Sequence, residues 1–167
     1  LAMKSMSDYA FHGTIANPSD SAKELIDEYK KIGVNSIKLF TTYADTDRRT
    51  MDSYIYQLLE ASKKENCIVV VHAENDDLID KSKEIPIKEH ERSRPVSSEN
   101  TEVLKLAQMA RQTQGRLYIV HVSAGSTVKL MVEKYLPELK SHQIILESCP
   151  HYFLLNSERL ADEDGYK

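Results

Sequence analysis

The sequence predicts an α/β fold: a parallel sheet built from about five βα units. Three observations lead there. Short apolar runs alternate with amphipathic segments along the whole chain. Runs such as Cys67–Val71 are continuous and β-branched, the pattern of a strand buried on both faces. The 167 residues, 41% hydrophobic and 29% charged, have the composition of one globular domain.

The elements follow in order. Asp8–Phe11 is a short strand candidate. Asn17-Pro18-Ser19-Asp20 reads as a turn with an N-cap. Ala22, Leu25, Ile26 and Tyr29 then recur at helical spacing, and Gly33 closes that helix. Val34–Phe40 is a strand. A second helix carries Met51, Tyr54, Ile55, Leu58 and Leu59 on one face. Cys67–Val71 is the third strand, and Asn75–Glu84 a short helix. Ile85–Ser97 is polar, holds Pro86 and Pro95, and is the longest irregular stretch. From Ser98 a helix turns Val103, Leu106, Ala107 and Ala110 inward and ends at Gly115. Leu117–Val122 is a strand and Ser126–Leu136 a helix that Pro137 terminates. Gln143–Glu147 is the fifth strand, and the tail from Ser157 a helical turn.

Strand–helix alternation implies right-handed crossovers between parallel neighbours. A doubly wound sheet usually has a Gly-rich phosphate loop after its first strand, and none occurs here. The alternative is the (β/α)8 barrel, which needs ~250 residues, or roughly 31 per unit. At that rate this length holds about five units. The expectation is a single partial barrel domain over residues 1–167, not closed within the chain.

Composition excludes several functions. No apolar run approaches the ~20 residues of a membrane span. A net charge of −4, with both signs interspersed, argues against nucleic acid as a partner. The two cysteines, Cys67 and Cys149, sit in apolar runs and read as buried free thiols of a reducing, cytoplasmic compartment. Leu1–Ala10 lacks the apolar stretch of a signal peptide, and the chain does not begin with Met, as a processed or excised piece would not.

Three polar residues interrupt or end strands: Lys38 within Ser36–Phe40, His72 after Ile68–Val71, and His121 after Leu117–Val120. In a barrel the C-terminal strand ends converge on the active site. Imidazole is a common zinc ligand, and ligands on separate strands make a rigid site. A lysine ammonium cannot ligate a metal, and burying it unpaired is costly. It becomes a ligand only as the carbamate formed with CO₂. Singly, a strand-end His also fits a core or capping role, and a strand Lys an edge position with its amine in solvent. Spacing alone leaves both readings open.

Several segments carry a resemblance. They are Gly33–Tyr43, Val71-His72-Ala73-Glu74-Asn75, Tyr118–Ser123, Asp8–His12, Ser93-Arg94-Pro95 and Glu147–Tyr152. Together, and in this order, they resemble the dihydropyrimidinase/hydantoinase family of cyclic amidohydrolases. The resemblance implies a metal-dependent (β/α)8 barrel, of which this chain would hold strands three to seven. It implies that Lys38, carbamylated, bridges two Zn²⁺ ions, and that His72 and His121 ligate the second. Tyr43, five residues after Lys38, matches the tyrosine that binds the substrate carbonyl and stabilises its oxyanion. A small cyclic amide or ureide substrate and a homo-oligomer, tetrameric for the full-length family, are also implied.

The chain departs from the family pattern too. It has no His-x-His pair, and the family's catalytic Asp would lie beyond Lys167. The isolated chain is therefore expected to be inactive and to hold metal weakly or not at all. An allantoinase- or dihydroorotase-type enzyme and a non-catalytic scaffold relative are the alternatives. Retention of Lys38, His72 and His121 together favours an enzyme. Glu74 is a candidate to orient a ligand imidazole, and Asn75 to cap a helix. For His12 and His151 structural hydrogen bonds are expected, and for Arg92 and Arg94 a solvated or salt-bridged loop.

Overall fold

A computed structural model describes residues 5–16, 18–82, 85–156 and 158 of the chain. Asn17, residues 83–84 of the expected short helix, and the tail turn expected from Ser157 lie outside the described residues, apart from Glu158. Five strands form one open sheet in the order β1-β2-β3-β4-β5. These are β1 (Gly13–Thr14), β2 (Ser36–Phe40), β3 (Ile68–His72), β4 (Leu117–Ile119) and β5 (Ile144–Leu146). All four pairings are parallel. Among the described residues there are six α-helices: α1 (Ala22–Lys31), α2 (Asp52–Glu65), α3 (His90–Ser93), α4 (Val96–Thr113), α5 (Gly125–Lys140) and α6 (Pro150–Leu154).

The core lies between one face of this sheet and the long helices. Ile37, Leu39, Val69, Val71, Leu117 and Ile119 alternate onto that face, and all are buried. They meet Ile55, Leu58 and Leu59 of α2 and Val103, Leu106, Ala107 and Ala110 of α4. The opposite face is less covered than a doubly buried strand requires. Val70 is buried there, but Ile68, His72, Lys38 and Phe40 are half-buried. No helix of the core cluster covers that face among the described residues; His12 bonds Ser36 Oγ there and Tyr43 packs on Phe40.

Several boundaries move, each for a local reason. Asp8–Phe11 is not a strand; β1 begins at Gly13, where Gly13 pairs with Ile37 and Thr14 with Lys38. The α1 N-cap is Ser21, whose side chain accepts from the Glu24 backbone N–H while Glu24 reaches back to the cap. Gly33 does end α1, at φ +79°, with Val34 N–H donating to Tyr29 O. Met51 precedes α2 and is exposed rather than on its core face. After β3 only a single 3₁₀ turn forms, Asp76–Leu78, capped by Asn75 Oδ1, which accepts from Asp77 N–H at 3.1 Å. The irregular stretch contains a 3₁₀ turn over Ile87–Glu89 and the short α3, and α4 starts at Val96, directly after Pro95. β4 stops at Ile119 rather than Val122, because His121 adopts a left-handed conformation at φ 42°. Pro137 does not end α5. The break falls at Tyr135 (φ −131°), so Pro137 enters the first turn of the continuing segment, which needs no donor from it.

Gly115 is required by a close approach. Gln114, not Gly115, takes the left-handed turn after α4, at φ 58°. A Cβ on Gly115 would overlap the Leu59 carbonyl and sit 2.9 Å from Leu59 Cα. Gly115→Ala must push α2 away and is expected to lower stability by about 1–3 kcal/mol, the usual cost of overpacking. Thermal unfolding of the purified variant reads this directly as a fall in Tm.

Candidate active site

The C-terminal ends of β2, β3 and β4 open onto a cavity of about 630 Å³ lined by Tyr43, His72, Glu74, Arg94 and His121, among others. Each side chain arrives by a different route. His72 is the last residue of β3, in register with Phe40 of β2. His121 lies beyond β4, and its left-handed backbone turns the imidazole back toward β3. His72 Nδ1 and His121 Nε2 then face each other at 2.9 Å. Tyr43 is also left-handed (φ 68°), which sets its ring 5.4 Å from that of His72 and 5.8 Å from that of Phe40. Lys38 is on the same face of the sheet but one level deeper, paired with Val70, and does not line the cavity.

Hydrogen bonding assigns the protons on the imidazole pair. Glu74 Oε2 lies 2.6 Å from His72 Nε2 and 2.5 Å from Arg94 Nη1. Burial would raise the Glu74 carboxyl, but bonds from His72 and Arg94 outweigh it and hold the group below the ordinary glutamate value. Glu74 is therefore an ionised acceptor, and His72 donates its Nε2–H to it. In the neutral ring the Nδ1 lone pair is then directed at His121. His121 is held below its usual value chiefly by burial, so it is neutral and donates from Nε2. A carboxylate behind an imidazole is how proteins fix the tautomer of a metal-binding histidine.

Lys38 is the other perturbed group. Its Nζ donates to Leu39 O at 3.2 Å and lies 3.8 Å from the centre of the Phe40 ring. No carboxylate pairs with it among the described residues, and burial lowers it to about 8.

The first turn of α4 clamps the loops that carry this machinery. Ser98 Oγ donates to Asn75 O at 3.0 Å, and Asn75 N–H donates back to Ser98 O at 3.1 Å. Glu99 accepts from the backbone N–H of Ser123 (2.9 Å) and of Ala124 (3.1 Å), which fixes the turn after His121. Thr41 Oγ1 donates to the carbonyls of His72 and Glu74 and ties β2 to the end of β3.

Four sequence-predicted residues are thus brought to one end of the sheet, three of them around one cavity. Among the described residues no three His, Cys, Asp or Glu side chains group as a metal cage. Two facing imidazole nitrogens with a fixed tautomer, next to an unpaired lysine, fit part of a metal site. His151 is exposed and packs on Tyr152, and His12 pairs with Ser36 Oγ at the other end of β2. Arg92 is exposed and pairs with Glu89, as a loop residue would. Arg94 is different: it is half-buried in the cavity wall against Glu74 and 5.5 Å from the Tyr43 ring centre. The expected salt bridge is present at Arg94, but its partner Glu74, twenty residues away, and its place in the cavity wall are not legible from the sequence around it.

No family model matches the chain. A D-hydantoinase of Geobacillus stearothermophilus is 30% identical over 165 residues, which are 94% of this chain and 34% of that protein. A D-hydantoinase of Ralstonia pickettii is 28% identical over 169 residues, 96% of this chain and 36% of that one. The crystal structure of dihydropyrimidinase from Brevibacillus agri superposes with a TM-score of 0.82 at 26% identity, over 95% of this chain and 35% of that chain. Over nearly its whole length the chain matches one stretch of D-hydantoinase and dihydropyrimidinase proteins, and it fits a fragment of that family. It spans about a third of the length of the curated relatives it matches. Its five βα units are accordingly a run of the hydantoinase barrel. Among the described residues no helix is long and apolar enough to cross a membrane.

Proposed function

We propose that the protein carrying this chain hydrolyses a C–N bond of a cyclic amide or ureide, such as a dihydropyrimidine or a hydantoin. The supporting observation is the facing His72–His121 pair, its tautomer set by Glu74, with the Tyr43 ring against it over the cavity. In this reading His72, His121 and Lys38, the last as its carbamate, contribute to holding two Zn²⁺ ions. Zinc, when bound, would lower the pKa of water so that hydroxide is available near neutral pH. The chain's own residues then orient and stabilise. The Tyr43 phenol donates to the carbonyl oxygen as it gains charge, and Arg94 and Glu74 keep the wall polar and the imidazoles aligned. Water adds to the ring carbonyl, the C–N bond breaks, and the ring nitrogen leaves with a proton, giving an open-chain carboxylate. The 167 residues by themselves supply two imidazoles and one lysine, so this stretch alone is expected to be inactive.

The test is ring opening by the whole, zinc-loaded protein on dihydrouracil and on hydantoin. Turnover is expected, with loss to background in His121→Ala. A protein with verified zinc occupancy that opens neither ring, or that opens only dihydroorotate or allantoin, would overturn the proposal.

A further inference from the structure

Asp76 lies outside the cavity wall, yet its carboxylate ties together the loops beside it. It is buried, at 6% exposure. Its Oδ1 accepts from Tyr43 N–H at 2.9 Å and from Thr42 Oγ1 at 2.8 Å. Its Oδ2 pairs with Lys81 Nζ at 2.8 Å, and Arg49 Nη1 stands 3.8 Å away. Burial would raise this carboxyl, but the bonds from Lys81 and Thr42 outweigh it and keep it below the ordinary aspartate value. The acceptor is therefore charged where it meets the Tyr43 amide, which makes that bond a strong one.

Tyr43 needs such a restraint. An aromatic residue at φ 68° and ψ 40° is in a region that only Gly occupies freely. On its C-terminal side the Tyr43 carbonyl accepts from Thr46 N–H and Arg48 N–H, both at 3.1 Å. On its N-terminal side the hold on its amide among the described residues is Asp76. With both sides satisfied, the peptide plane is fixed, and with it the direction in which the ring leaves the backbone.

We propose that Asp76 is a positioning residue: it holds Tyr43 in its left-handed conformation, and so places the phenol beside His72 through the Tyr43 amide and Thr42. Its catalytic consequence rests on the reading of Tyr43 as the oxyanion donor. Its structural half does not. Asp76→Ala removes the acceptor and lets the Tyr43 peptide rotate. Asp76→Asn keeps an acceptor oxygen there while giving up the charge.

The experiment has two arms on the whole, zinc-loaded protein. In the first, hydrogen exchange at the Tyr43 amide is followed. Asp76→Ala is expected to speed it by at least ~10-fold through local opening, and Asp76→Asn to leave most of the protection. In the second, kcat and KM on hydantoin are measured in a double-mutant cycle. Asp76→Ala is expected to lower kcat by ~10²-fold, as loss of one oxyanion donor does, with KM little changed. Added to Tyr43→Phe, it is expected to cost almost nothing more, because the phenol it places is already gone. A merely structural role would lower activity equally in both backgrounds. Unchanged Tyr43 exchange, or additive effects on kcat, would overturn the proposal. Full activity in Tyr43→Phe would sink the oxyanion reading instead, and the exchange arm would still decide whether Asp76 holds Tyr43. Asp76→Ser, polar but too short to reach the amide, is held to the same outcomes should Asp76→Ala not fold.

Discussion

Tyr43→Phe is expected to lower kcat of the whole protein by ~10²–10³-fold, the cost of removing one donor to an oxyanion. The substitution keeps what the ring does for structure. Phenylalanine still packs 5.8 Å from Phe40 and 5.4 Å from His72, and the backbone bonds to Asp76, Thr46 and Arg48 do not involve the hydroxyl. The loss should therefore fall on kcat and on kcat/KM alike, since on the proposed reading the phenol's bond to the carbonyl oxygen would strengthen as charge develops there. Zinc content is expected to stay at the wild-type level, because the phenol is not among the proposed ligands. Steady-state kinetics with elemental analysis of the same preparations checks both statements. Full kcat at full occupancy would reduce Tyr43 to a packing residue.

Lys38→Met should have the other large effect, and it can be read in two independent ways. In the whole protein, hydrolysis is expected to fall at least ~10³-fold, because on the proposed reading the Lys38 carbamate, and with it the zinc that would activate water, would be lost. The second reading needs no substrate. Burial lowers Lys38 from 10.5 to about 8. Between those values the unfolded chain holds a proton on this lysine that the folded chain has released. Stability thus rises with pH across the window from about 8 to 10.5, and the penalty for charging the buried amine is present in full below it. In CO₂-free buffer, the difference in stability between Lys38→Met and the wild type should be largest below pH 8 and shrink as pH rises, a window set by that depressed value. Denaturant unfolding at several pH values measures it, and a difference that does not change with pH would show the amine to be solvated. The same depressed value bears on chemistry. CO₂ adds to the neutral amine, releasing one proton, so carbamate formation is favoured as pH rises through about 8.

What could be read from residues alone had a short physical range. Capping and periodicity act within a turn or two, so α1, with its Ser21–Glu24 capping box and its stop at Gly33, is legible nearly to the residue. A buried β-branched run carries its own signature, so β3 falls within a residue of where it is expected, while β2 ends at Phe40 as expected but starts at Ser36. Errors cluster where a distant partner decides. α5 outlasts Pro137 because the chain breaks its helical geometry at Tyr135, whose hydroxyl meets Gln108 of α4 at 3.2 Å. The first strand shifts from Asp8–Phe11 to Gly13–Thr14 because only the latter finds β2 to pair with.

The site divides along the same line. That Lys38, His72 and His121 would gather at one end of a parallel sheet follows from the sequence, because strand polarity sends successive strand ends to the same side. Their protonation does not follow from it. The direction of the His72 lone pair is set by Glu74, the charge of Glu74 is held by Arg94, and Arg94 reaches it from a separate loop. The conformation of Tyr43 is held by Asp76, thirty-three residues along the chain. By itself, then, the sequence determined the alternation, the strand-end residues and the family resemblance. The tertiary structure alone decided which nitrogen faces which and what holds Tyr43, because a hydrogen bond depends on positions in space that sequence spacing does not encode once the partners leave one element.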